Sequence, residues 1–332
     1  MTDSTLVCKG EVIEAPDVTF SGNSQLPRLT ATAIVRVDRC FKGQPPDGGV
    51  VPVLFDNVLP SGGMSGGTPF VVLRKGDYRL YFLKPEGEKY LVANGWFGQL
   101  TISRNLASDS SGDSDPMHRL EADLKMGLTD PDRDRVLDSI RMLGNMRLLQ
   151  SKAELIALLD SPDSLVWTSV REAMLRLHDY SVLPSIEQWL MEQPPAPTSL
   201  VLPRDSLVQM QYRLAAQISD IRDPAYLPTM ERLLRLPNLA MRRGILQGIR
   251  SIDSQQSAPT LLKLLDDPDD DIGFIAMQSL FELAGGGPID WVPSFEQFHE
   301  NRAYYANLCR QWWQSKALQQ WGVGAGAAQV DV

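Results

Sequence analysis

The sequence predicts a multidomain β + α chain, a small β-barrel followed by an α-solenoid of paired helices. Three observations predict it. Residues 6–104 break into short runs rich in β-branched and aromatic residues, separated by turns containing Gly and Pro. From Met117 onward the apolar spacing changes from two to about 3.6. Within that second part similar phrases return at regular steps, which marks a repeat array.

In chain order, strands are expected at Leu6–Ile13 and Thr30–Val37. Val50–Phe55 is a third, and its Pro52 points to an edge or a strand start. Asp77–Leu83 is the strand richest in aromatics, and Lys89–Ala93 and Gln99–Ile102 complete the set. Gly43–Gly49, Ser61–Gly67 and Pro85–Glu88 are the intervening turns. The Ser61–Gly67 loop has the glycine content of a phosphate cradle, but no Gly-Lys-Ser/Thr ending and no following helix, so it reads as a barrel loop. Short antiparallel strands without helices favour closure, which removes exposed edges.

Three phrases of this region, LVCKGEV at 6–12, ATAIVRVDRCFKG at 31–43 and GDYRLYFL at 76–83, resemble the OB-fold domain of the netrin-module and tissue-inhibitor-of-metalloproteinase type. The resemblance implies an OB-like barrel able to bind other proteins. Those inhibitors chelate zinc through a cysteine at the mature amino terminus. Here Cys8 follows seven residues, so that mechanism does not carry over.

The chain has three cysteines, Cys8, Cys40 and Cys309. Cys8 and Cys40 lie on or beside the first two strands and can bridge if those strands pair; with strand register unknown, buried free thiols are the favoured reading. The start, Met1–Ser4, carries no basic or apolar leader, and no run of apolar residues is long enough for a transmembrane segment. The abrupt entry into a strand at Leu6 favours an exported, extracytoplasmic bacterial protein whose leader is removed, with a cytoplasmic protein as the alternative.

Residues 107–116 are small, polar and acidic, the composition of a flexible hinge. Their aspartates lack the spacing and closing glutamate of a calcium loop. Beyond them, Ala153, Pro184, Pro228 and Pro259 open matching helices at steps of 31, 44 and 31 residues, the long step holding the Pro194–Pro197 insertion. The second helix of each unit places an arginine two before a small residue, as in Arg171-Glu172-Ala173, Arg213-Leu214-Ala215 and Arg242-Arg243-Gly244; Phe274-Ile275-Ala276 keeps only the small residue. Small residues there let helices approach closely. Turns such as Asp160–Asp163 and Asp266–Asp269 end one helix and cap the next.

These units resemble HEAT repeats over residues 117–285, with the 117–145 unit and the 194–205 insertion departing from the family spacing. The resemblance implies helix pairs that bury their apolar faces only by stacking. The expected organisation is therefore an OB-like barrel at 1–106, a flexible acidic linker at 107–116, a HEAT-like solenoid at 117–321 and a disordered tail at 322–332. Trp291, Trp312, Trp313 and Trp321, with Phe295, Phe298, Tyr304 and Tyr305, suit an aromatic cap on the last repeat, or a docking surface.

Charge narrows the function classes. Net charge is −9, and residues 1–106 hold 11 basic against 10 acidic residues, so the helical part carries the excess of acid. That argues against nucleic acid as a partner and against docking on anionic lipid. His118, His178 and His299 are far apart, no Cys-x-x-Cys or His-x-x-x-His is present, and the Asp266–Asp271 run fits an interhelical turn better than a metal site. No catalytic residue, cofactor or metal ligand is assigned. Arg171, Arg176, Arg213, Arg242, Arg243 and Arg250 on the second helices, with Trp312 and Trp313, are the candidate partner surface, although bridging between repeats is the favoured reading of those arginines. The sequence thus points to a non-enzymatic protein-binding scaffold. The alternatives are a HEAT-like enzyme of the glycosylase or chromophore-lyase type and a barrel-based inhibitor.

Overall fold

The computed structural model describes residues 4–17, 19–21, 30–56, 58–60, 71–93, 98–107, 115–192, 207–236, 239–252, 254–288 and 290–321. The Ser61–Gly67 loop, most of the acidic linker, the Pro194–Pro197 insertion and the 322–332 tail lie outside the described residues. The chain divides into two units, Met1–Ala173 and Met174–Val332.

The first unit opens with β1 (Leu6–Glu14), β2 (Thr19–Ser21), β3 (Thr30–Lys42), β4 (Val50–Asp56), β5 (Val58–Pro60), β6 (Tyr78–Glu86), β7 (Lys89–Val92) and β8 (Gln99–Thr101). Five of them close a ring in the order β1, β3, β4, β7, β6 and back to β1. All neighbours in the ring are antiparallel except β4 and β7. β8 adds to β6, and β2 and β5 form a separate parallel pair. Alternation fills the barrel, with Val51, Val53 and Phe55 of β4 pointing into a core that also holds Val12, Val35, Tyr81 and Leu83. Pro52 sits where β4 has β3 on one side and its pairing with β7 has not begun, so its missing N–H costs no ladder bond on that side. Gly10 is required by crowding, because a Cβ there would stand 2.2 Å from the Arg36 carbonyl oxygen.

β3 runs five residues past the expected Val37, because the ladder with β1 continues past an irregularity at Asp38, and Cys40 and Phe41 add covered side chains beyond it. β1 is buried on both faces. Leu6, Cys8 and Val12 face the barrel core, while Val7 and Lys9 face the other way and are equally covered. The cover over Lys9 is helical.

Helices α1 (Pro116–Gly127), α2 (Arg133–Asn145), α3 (Lys152–Ile156) and α4 (Ser164–Arg176) follow. Asp115, Asp132 and Asp163 cap the first, second and fourth by accepting from the N–H groups of Met117, Asp134 and Leu165. Asp123 of α1 lies 2.7 Å from both Lys9 and Arg39, and no side-chain atom of Lys9 or Asp123 reaches solvent. The same carboxylate accepts from the Ala107 N–H at 2.9 Å, while Lys9 also donates to the Asn105 carbonyl at 2.7 Å. One helix over, Asp138 of α2 accepts from the Thr101 N–H of β8 at 3.1 Å. The barrel and the first helix pairs are therefore one body, held by aspartates that receive donors from the barrel.

In the second unit α5 (Leu183–Glu192), α7 (Leu227–Leu233) and α9 (Ala258–Leu264) are first helices of their pairs, and α6 (Leu207–Ile218), α8 (Leu239–Ser251) and α10 (Asp270–Leu283) are second helices. A short 3-10 turn precedes each first helix. Its cap is Asp179, Asp223 or Ser254, accepting from the N–H two residues on. These caps recur at the 44- and 31-residue steps already seen in the prolines. The small residues meet as expected: a Cβ on Gly244 would lie 3.0 Å from the Ala215 Cβ, and within the first unit one on Gly144 would lie 2.8 Å from the Ala173 Cβ. Larger side chains there would force the helices apart. Helices α11 (Phe295–Glu300) and α12 (Arg302–Trp321) close the last pair. Phe281 takes Trp312 edge-on at 5.0 Å and Trp291 at 5.8 Å, and Phe298 is fully buried.

Two outcomes follow for stability. Asp123→Ala strands a buried lysine and should cost about 3–5 kcal/mol in urea unfolding; Lys9→Met, which leaves Asp123 with Arg39 and the Ala107 N–H, should cost less. Burial raises the carboxyls of Asp130 and Asp163, but hydrogen bonds and the arginines beside them win and hold both below their ordinary 3.8. Their contribution is then complete above that value and lost as pH falls through the lower folded one. Thermal melts should drop once pH passes below about 4, and Asp163→Ala should shrink that drop.

Candidate binding surface

The arginines of the second helices were the sequence's main surface candidates, and the structure gives them different surroundings. Arg171, in the first unit, is 5% exposed. Its guanidinium lies 3.6 Å above the Trp167 ring and donates to the Leu159 carbonyl at 2.9 Å. Burial pulls its pKa down to about 10. It is a packing residue. In the second unit Arg176 and Arg213 are half-buried and engaged with neighbours.

Arg242, Arg243 and Arg250 form a row on α8, and each reaches across to the next helix pair. Arg242 pairs with Asp267 and donates to the Leu234 carbonyl at 3.0 Å. Arg243 pairs with Asp271, with Asp269 at 3.6 Å. Arg250 grips Glu282 of α10 with two nitrogens, the Nε at 2.6 Å. The acidic turn is answered from its other side too. Arg310 of α12 pairs with Asp266, while His299 and Arg302 meet Asp270 at 2.5 and 3.3 Å. Asp269 meanwhile caps α10 through the Ile272 N–H. The Asp266–Asp271 run, which invited comparison with a metal site, is a junction where α8, α10, α11 and α12 are tied by charge. Among the described residues no three His, Cys, Asp or Glu side chains gather to hold a metal ion.

At the other, C-terminal ends of α8 and α10 a recess of about 290 Å³ opens between two consecutive helix pairs. Arg250, Ser251, Ser254 and Glu282 line it, with Ile249 and Leu261 buried behind them. The hydroxyls near it are committed locally: Ser279 donates to the Ile275 carbonyl at 2.7 Å, Ser257 to the Ile249 carbonyl at 3.5 Å, and Ser254 caps the turn before α9. Neither histidine nor cysteine lines it. What it offers is a small, mainly polar hollow with a charged rim. Sequence reasoning named Arg250 but missed the recess, because its lining comes from residues 249 to 283, on four separate segments.

Trp313 is 6% exposed and Trp312 is half-buried against Phe281, so both serve the packing of α12 on α10. The Trp321 side chain lies outside the described residues. No helix among the described residues is long and apolar enough to cross a membrane.

The family of HEAT repeats matches residues 196–280, the segment that holds α6 to α10. No curated protein matches the chain. Among solved structures, a designed armadillo repeat protein is similar at 18% identity and a TM-score of 0.32, covering 58% of this chain and 91% of its own. An engineered protein gives 16% and 0.36, covering 59% and 94%. The complex of the phycocyanin lyase from Nostoc sp. gives 16% and 0.32, covering 58% and 82%.

The two ends of the arginine row should behave differently. Asp267→Ala leaves Arg242 unpaired where its side chain is 14% exposed, and should cost about 3 kcal/mol in thermal or urea unfolding. Arg250→Ala breaks a more open pair and should cost less than about 1 kcal/mol.

Proposed function

We propose that this chain is a non-enzymatic protein-binding scaffold, and that its partner places a polar or charged side chain in the recess between α8 and α10. The observation that carries this reading is the recess itself: a small hollow lined by serines beside a guanidinium–carboxylate pair, on the segment matching HEAT repeats. Polar and charged groups gathered around one hollow fix the register of a partner and select it by charge. Arg250 and Glu282 can each exchange their mutual contact for one with the partner's backbone or side chains. The netrin-like barrel would add a second protein-binding face.

Two observations favour this over an enzyme. Two of the recess hydroxyls, those of Ser257 and Ser279, donate to backbone carbonyls of their own chain. A glycosylase would need a basic groove, whereas the exposed cations of α8 face acids of their own chain.

The test fills the recess. Ser251→Trp should abolish co-elution of the stoichiometric partner recovered with the full chain from its native source, while leaving the melting temperature within a degree or so. Crosslinks from that partner should fall on α8 to α10 of the unmodified chain. Retention of the partner by Ser251→Trp, or recovery of a small molecule or nucleic acid instead of protein, would sink the proposal.

A further inference from the structure

On β1 and β3 two neighbouring cross-strand pairs do different work. Cys8 faces Cys40 and Lys9 faces Arg39, and the ladder shifts register immediately before the first pair and immediately after the second. These two pairs are thus an island of regular pairing between two irregularities. Cys8 and Cys40 have Cα atoms 4.0 Å apart and are joined as a disulfide on the core side. Lys9 and Arg39 project from the opposite face, and both end on Asp123 of α1.

In a strand a one-residue slip exchanges the two faces. β1 is held in unbroken register by β6 from Leu6 to Glu11, whereas β3 beyond Arg36 pairs with β1 alone. The strand free to slip is therefore β3, and a slip there would turn Arg39 toward the core and take it from Asp123. Irregular pairing on both sides weakens the hold of the β1–β3 ladder on register at this point. From this juxtaposition we infer that the Cys8–Cys40 disulfide is a redox-sensitive register lock for the union of barrel and helices: oxidised, it keeps Lys9 and Arg39 aimed at Asp123; reduced, it lets α1 loosen from the barrel.

The reductant is a dithiol. Its thiolate attacks the Cys40 sulfur, which belongs to the less buried partner. The S–S bond breaks and the Cys8 sulfur leaves with the electron pair, taking a proton from solvent. The second thiol of the reductant then displaces Cys40. Two electrons pass, leaving two protein thiols and a cyclic disulfide of the reductant.

Hydrogen exchange of the full chain, with and without dithiothreitol and with thiols counted in each state, tests the inference. Oxidised protein should show one thiol and reduced protein three, since Cys309 is free. Reduction should speed exchange in 116–127 and 103–107 on the order of tenfold, leaving α5 to α10 unchanged. Cys8→Ala with Cys40→Ala should show the fast exchange without reductant. Asp123→Asn should show it in the oxidised state and respond no further to dithiothreitol. Three thiols before reduction, slow exchange of α1 with all thiols free, or equal acceleration in α1 and in β4 at the far side of the barrel would each overturn it. The last result would make the disulfide a general staple of the barrel.

Discussion

Asp123 receives a lysine, a guanidinium and a backbone N–H, all from the barrel or the strand leaving it, at a position closed to solvent. A carboxylate so placed has lost its water, and only this set of donors compensates it. The geometry of the first unit is bound by that constraint. β1 must present Lys9 on its outer face, β3 must extend far enough to bring Arg39 level with it, and the chain after β8 must pass close enough for Ala107 to donate. Burial lowers the pKa of Lys9, which the contact with Asp123 only partly offsets. The union is therefore specific and intolerant, the usual character of a buried ion pair.

The second unit solves a different problem by similar means. Its helix pairs are nearly alike, so stacking alone would not say which helix meets which. Small residues set the spacing, as at Ala215 and Gly244, while charge sets the register, as Arg242, Arg243 and Arg250 all find acids on the following pair. The exposed members add little to stability. Their value is discrimination, because a misaligned pair would leave these arginines without their acids.

Much of this was legible from residue order. The aromatic-rich strand at 77–83, the recurrence of proline, the capping turn at Asp160–Asp163 and the change of period after the linker are local signals, and local signals survive in one dimension. The aromatic cap was legible because an end repeat has an apolar face to cover, and Phe281 with Trp291 and Trp312 covers it. Lys9 was not. It stands in a strand like any outward-facing lysine, and its partner is set by a helix far along the chain; even the Arg39–Asp123 contact spans 84 residues. The arginine row was seen as a set, but its partners were not assigned, since a turn rich in aspartate reads the same whether solvent or arginine answers it. The recess escaped for the same reason, being formed by several segments none of which is unusual alone.

The barrel on α1 and α2 bears on how such a chain can change over time. Repeat proteins commonly lengthen by duplication of a unit. Here the first helix pair is committed to a barrel through Asp123 and Asp138, and the last carries α11 and α12 tied to it through Asp266 and Asp270. A copied unit added at either end would lack those acids' partners and would displace a cover fitted to one neighbour. Growth is confined to the interior, between α4 and α10, where the steps are regular and the 44-residue interval already records an insertion. Variation in length among descendants of this chain should therefore fall between the barrel and the α11–α12 cover.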